Sequence, residues 1–151
     1  MIKELLRVFF LSILPVSELR GAIPLGLLFY KLPVLPTYLV AVLGNILPIV
    51  FILIYLEFFY QYLCRWKWGE RFFSWLFKRT RAYQEKYERY GAIFLLFFVA
   101  LPFPITGAWT GAAIAFFLGI RFWYAFPAIS GGVLVAGILV TLASLGIINL
   151  A

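Results

Sequence analysis

Two stretches of this chain, Tyr38 to Phe59 and Val133 to Leu145, are long and almost wholly apolar. Inside a bilayer such a segment finds no water for its N–H and C=O groups, so it must be a helix or part of a closed barrel. Barrel strands would alternate apolar and polar residues, and these runs do not. The reading is therefore an all-α integral membrane protein. Composition agrees: 65% of residues are hydrophobic and 13% charged, too few polar groups to cover a water-facing surface. The aromatic share, 21%, suits a protein with long membrane–water boundaries.

Several chemistries drop out. Histidine is absent and Cys64 is the single cysteine, so zinc sites and histidine-based acid–base or nucleophilic arrangements have no ligands to use. No metal, cofactor or nucleic-acid partner is expected, and no enzyme activity. Lys3 and Arg7 precede an apolar stretch, but Ser17-Glu18-Leu19-Arg20 follows in place of a small-residue cleavage site, so a cleaved signal is not expected.

Charge divides the chain in three. Residues 65–89 hold eight of the thirteen basic side chains, which places this segment in the cytoplasm by the positive-inside rule. Its aromatics recur at helical spacing, giving an amphipathic helix over 64–90, bracketed by Gly69 and Gly91 and lying on the membrane. Lys78, Arg79 and Arg81 are the candidate contacts to anionic lipid headgroups, beside the plainer reading of a solvated face.

The flanking blocks, 1–63 and 91–151, follow one plan. Glu4 to Ile13 covers about 15 Å as a helix, half of a hydrocarbon core. A break follows, with Pro15, Gly21 and Pro24, then a short return and a full span from Thr37 to Leu63. In the second block Ala92 to Leu101 is the half-helix, Pro102, Pro104, Gly107 and Gly111 mark the break, and Phe122 to Leu150 is the span. A shift of 86 positions pairs Gly21 with Gly107 and Gly44 with Ser130. An internal duplication is expected. If the broken segments return to their own side, the blocks are inverted relative to each other; if they cross, four spans result. Charge slightly favours four spans.

Glu18 and Arg20 are the leading candidates for function, because ionisable groups at membrane depth cost at least about 2.5–3.5 kcal/mol each. They could also simply neutralise each other in a structural loop. Glu18 is the candidate proton carrier and Arg20 its anion or counter-ion partner. Thr106, Trp109 and Thr110 supply polar or aromatic lining from the second break, and Asn45 sits near mid-depth of the first span. Arg121 reads as a boundary marker, and Glu57 as a side chain reaching the interface.

The strings Glu18-Leu19-Arg20-Gly21-Ala22-Ile23-Pro24 and Thr106-Gly107-Ala108-Trp109-Thr110-Gly111, with Gly44-Asn45 between them, resemble the small multidrug export family, itself similar to the DedA/VTT membrane proteins. That resemblance covers nearly the whole chain. It implies two inverted repeats, each a re-entrant hairpin plus one transmembrane helix, joined by the cytoplasmic interfacial helix. It further implies a multi-pass protein of a prokaryotic cytoplasmic membrane that transports a small molecule, in proton-linked form through Glu18. DedA-like lipid translocation and a non-transporting scaffold are the alternatives. Against the DedA pattern the chain is shorter, and its second break lacks an arginine and any acidic residue. Membrane lipids and an unidentified small-molecule or lipid substrate are the expected partners, and a homodimer would enlarge the little volume such a bundle encloses.

Overall fold

The computed structural model describes residues 1–77, 84–101 and 106–150, and every regular element among them is a helix. They are α1 (Ile2–Ile13), α2 (Glu18–Pro24), α3 (Val34–Cys64), α4 (Lys67–Phe77), α5 (Gln84–Ala100), α6 (Ala108–Phe117) and α7 (Phe122–Leu150). Lys78, Arg79 and Arg81, the expected headgroup contacts, and Pro102 and Pro104 lie outside the described residues.

Prolines and glycines set the boundaries of the first half. Leu14 ends α1 in extended conformation (φ −69°, ψ 136°), as a residue before proline prefers. The break is confined to residues 14–17, shorter than the stretch the sequence marks, because α2 starts at Glu18 and carries Gly21 and Pro24 inside it. Pro24 has no N–H to give, and the helix continues from it as a π-helical turn, Leu25–Phe29, in which the Tyr30 amide donates to Leu25 O (3.1 Å). Pro36 falls in the first turn of α3, where an amide would lack an intrahelical partner.

Within the segment expected as one helix over 64–90, α4 covers Lys67–Phe77 and α5 runs from Gln84 straight through Gly91, while residues 78–83 lie outside the described residues. Gly91 is no boundary; it is a packing site, since a Cβ there would lie 2.7 Å from Ile120 Cδ1.

Two helices are long and apolar enough to cross a membrane, Val34–Phe59 and Phe122–Ile148. Only 39% of the most apolar window of each is buried in the protein. Along α3 the outward stripe reads Leu39, Leu43, Leu47, Phe51, Ile54 and Phe58, all exposed. Lipid can cover such a stripe without cost; water cannot. The chain is a membrane protein.

Each half folds its broken segment back on itself. In the first, Arg7 lies over the Tyr30 ring at 5.8 Å, and Val8 faces Gly26. In the second, Gly91 faces Ile120 and Val99 faces Gly111. The long helix then docks on the first arm through a glycine. A Cβ at Gly44 would sit 2.7 Å from Phe9 O and strike Ser12; one at Gly132 would sit 2.7 Å from Leu96 O and from Val99 Cβ. A left-handed corner also recurs, at Lys31 (φ 49°) and Gly119 (φ 66°). The docking glycines Gly44 and Gly132 and the corners Lys31 and Gly119 each fall 88 positions apart.

An ion pair between an exposed arginine and a buried carboxylate closes the base of the second hairpin. Arg121 Nε donates to both oxygens of Glu88 (3.0 Å each) and Nη2 to Oε2 (2.8 Å). The Glu88 side chain is 3% exposed and that of Arg121 56%. Losing a partner costs most when the buried charge is the one left behind. Arg121→Ala should therefore lower stability by about 3 kcal/mol in detergent unfolding, and Glu88→Gln by clearly less. Equal losses would contradict this account. In the same assay Gly44→Val and Gly132→Val should each cost about 1–3 kcal/mol through overpacking. Gly146→Val, at a position where an added Cβ meets nothing within 4 Å, should cost far less.

Candidate functional site

A helix that stops leaves up to four amides or four carbonyls without intrahelical partners. The two breaks put four such ends close together, and side chains from each hairpin satisfy backbone of the other.

Glu18 is buried and opens α2 in a left-handed conformation (φ 44°), an uncommon state for a residue with a Cβ. Its own amide is tied to Leu14 O at 2.9 Å. From this corner the carboxylate lies against Gly107, the N-cap of α6, and accepts from the amides of Ala108 and Trp109. Gly107 has no side chain to cap the helix, and a Cβ on it would collide with both carboxylate oxygens. An anion at a helix N-terminus is favoured by the helix dipole as well as by the amides.

Arg20 does the converse at the end of α5. Its Nη2 donates to Leu101 O (3.0 Å), Thr106 O (2.8 Å) and Thr106 Oγ1 (3.2 Å). Thr106 Oγ1 in turn donates to Leu101 O at 2.6 Å. A guanidinium thus sits where the carbonyls of a finished helix point, the end at which a cation is favoured. The return contact comes from Trp109, whose Nε1 donates to Ile13 O (3.2 Å), the last residue of α1. Ile13 and Leu101 are 88 positions apart, so each first arm has its final carbonyl bonded by the opposite hairpin.

The expected site residues therefore separate. Glu18, Arg20, Thr106 and Trp109 meet at one junction, by direct contact and not across a cavity. Thr110 is half-buried in the first turn of α6, while the bonds to Arg20 come from Thr106. Pro15 is exposed in the first break, Gly21 packs on Ser17, and Gly111 is a buried contact to Val99. Asn45 is fully buried in α3, next to the Gly44 dock; among the described residues neither Oδ1 nor Nδ2 finds a hydrogen bond, and the same holds for Ser130 Oγ on α7. Among the described residues no group of three or more His, Cys, Asp or Glu gathers as a metal site would require.

The Glu88–Arg121 pair escaped the sequence reading because Glu88 stands among many charges and its partner lies 33 residues away. The one available signal was Arg121 directly after a Gly119 corner, which returns the chain toward the start of α5.

The junction makes a sharp energetic prediction. Gly107 has φ −86° and ψ 179°, which alanine adopts freely, so Gly107→Ala tests the collision alone. It should cost about 1–3 kcal/mol in the wild type. In a Glu18→Ala background the space is empty, and the same change should cost under about 0.5 kcal/mol. Additive losses in thermal unfolding of the double variant would remove Glu18 from this position.

Set beside known proteins, residues 18–139 match the family model described as "Putative small multi-drug export protein". No curated protein and no solved structure matches the chain.

Proposed function

The chain belongs to the small multi-drug export family, and from that premise we propose that it is a small membrane transporter whose moving contact is the junction between its two hairpin tips. The two halves are read as inverted repeats. Contacts along α1 and α3 advance together (Val8 and Thr37 both meet Gly26; Phe9 and Ser12 meet Gly44), so these helices run in one direction. The same holds for α5 and α7 (Gly91 with Ile120, Leu96 and Val99 with Gly132). Hairpins that approach tip to tip then require α3 and α7 to run oppositely. On this reading both hairpins are re-entrant, the charged segment 64–90 is cytoplasmic, and the junction lies at mid-depth.

The observation that carries the proposal is the exchange of caps. Glu18 and Arg20 spend their charge on helix ends of the other hairpin, so the path stays closed while those bonds hold. A proton on Glu18 removes the anion from the α6 N-terminus and weakens the charge-assisted bonds there. Opening can then be coupled to a proton. Motion belongs to the first hairpin: its return arm is flanked by two left-handed residues that are not glycine, Glu18 and Lys31, and contains a π-helical turn. Strain of this kind collects at moving parts. The second hairpin is held by the Glu88–Arg121 pair.

The test is proton flux in proteoliposomes loaded with a pH indicator, driven by added amphiphilic ions. Wild-type protein should carry a saturable flux, and Glu18→Gln should reduce it about 100-fold, as expected when a proton-transferring group is removed. Equal flux in the two would end the proton-coupled mechanism. Movement of labelled lipid without proton flux would assign the junction to lipid translocation instead.

A further inference from the structure

Along one face of α1, Arg7, Phe10, Leu11 and Leu14 follow the i, i+3, i+4, i+7 spacing of a single helical stripe. With Ile13 and Tyr30 they line a wide-open groove of about 440 Å³. Phe10 is 63% exposed and Leu14 51%, so the cavity opens sideways to the surrounding lipid. Its lining is almost wholly apolar, and Arg7, the one charged residue beside it, is held over the Tyr30 ring at the open end of the hairpin. Ile13 and Leu14 form its deep end, about 10 Å further along the helix.

We infer that this cavity is a lateral entrance for amphipathic anions, with the anionic group at Arg7 and the apolar tail against Leu11, Ile13 and Leu14. The inference rests on the transporter reading above and adds the charge class of its substrate. A lipophilic cation would meet Arg7, and no carboxylate lines the cavity to attract it. Glu4, three residues before Arg7, pairs with the N-terminal ammonium, and Glu18 is turned away onto α6. Guanidinium is suited to carboxylate, sulfonate and phosphate groups alike, through paired donors. The deep end leads to the junction by two backbone bonds: Ile13 O accepts from Trp109, and Leu14 O accepts from the Glu18 amide. An occupant that displaces Ile13 or Leu14 therefore acts directly on the contact that closes the path.

The experiment uses full-length protein in phosphatidylcholine nanodiscs, without any gradient, and two probes of equal length: dansyl-undecanoate and a dansyl-undecylamine. Tryptophan-to-dansyl energy transfer reads binding. The anionic probe should bind saturably and at least about tenfold more tightly than the amine. Arg7→Gln should abolish that preference, Arg7→Lys should keep most of it, and Leu11→Trp should fill the cavity and weaken binding about tenfold or more. Arg7 is exposed, so its variants leave the core packing alone, and a melting curve qualifies Leu11→Trp. Equal binding of the two probes, or anion binding untouched in both Arg7→Gln and Leu11→Trp, would overturn the inference. Competition by phosphatidylglycerol in the nanodisc would identify the occupant as a lipid of the leaflet; its absence would identify a free lipophilic anion. Proton flux that survives Glu18→Gln would sink the transport mechanism and leave the cavity standing. Loss of anion preference with Glu18-dependent flux intact would do the reverse.

Discussion

Backbone that leaves a helix inside hydrocarbon has nowhere to place its amides and carbonyls, and each such group costs several kcal/mol if it stays bare. Two breaks in one small chain multiply that problem, and neither could stand alone. Ile13 O, Leu101 O, Thr106 O and the amides of Ala108 and Trp109 are all satisfied from the opposite hairpin. The rest of the architecture follows from bringing those tips together. Gly44 and Gly132 let α3 and α7 lie against the backbone of α1 and α5, so the hairpins stand at the depth where their tips meet. Gly107 leaves room for a carboxylate where any larger residue would exclude it.

The halves share a frame and divide the chemistry. Corners, docking glycines and terminal carbonyls recur 88 residues apart, whereas charge is confined to one tip. Burial works against the charge of Glu18 and of Arg20; helix ends of opposite polarity offset that cost for each separately. Glu18 and Arg20 also attract each other, so mutual neutralisation and the helix ends act together, each side chain on a different helix.

The sequence revealed the class of protein through its apolar runs, the breaks through Pro15, Pro24 and the glycines, and the two junction charges through their isolation. Those signals are local, and they carried over. Identity at Gly21 and Gly107 suggested a shift of 86 positions, while the two docking glycines, 88 apart, meet Phe9 O and Leu96 O, backbone atoms any residue supplies. The extent of the first break was overestimated for a similar reason. Glycine and proline mark where a helix can end, yet Gly21 and Pro24 both sit inside α2, the latter by way of a π-helical turn. Long-range pairs were hidden altogether, as Glu88 with Arg121 illustrates.

Glycine would relieve the backbone at Glu18 and at Lys31, as it does at Gly119 in the second half. At Glu18 the reason for the strain is on view: only a side chain leaving from that corner reaches the α6 N-terminus. Among the described residues Lys31 makes no comparable contact, yet it stands at the other end of the same arm. A rod with a strained residue at each end and an adjoining cavity has somewhere to go and less to lose by going. The second hairpin has a glycine at its corner and an ion pair at its base. The asymmetry of strain therefore runs parallel to the asymmetry of charge. On the proposed mechanism, the half that carries the titratable group is also the half that would move, as coupling between protonation and opening requires.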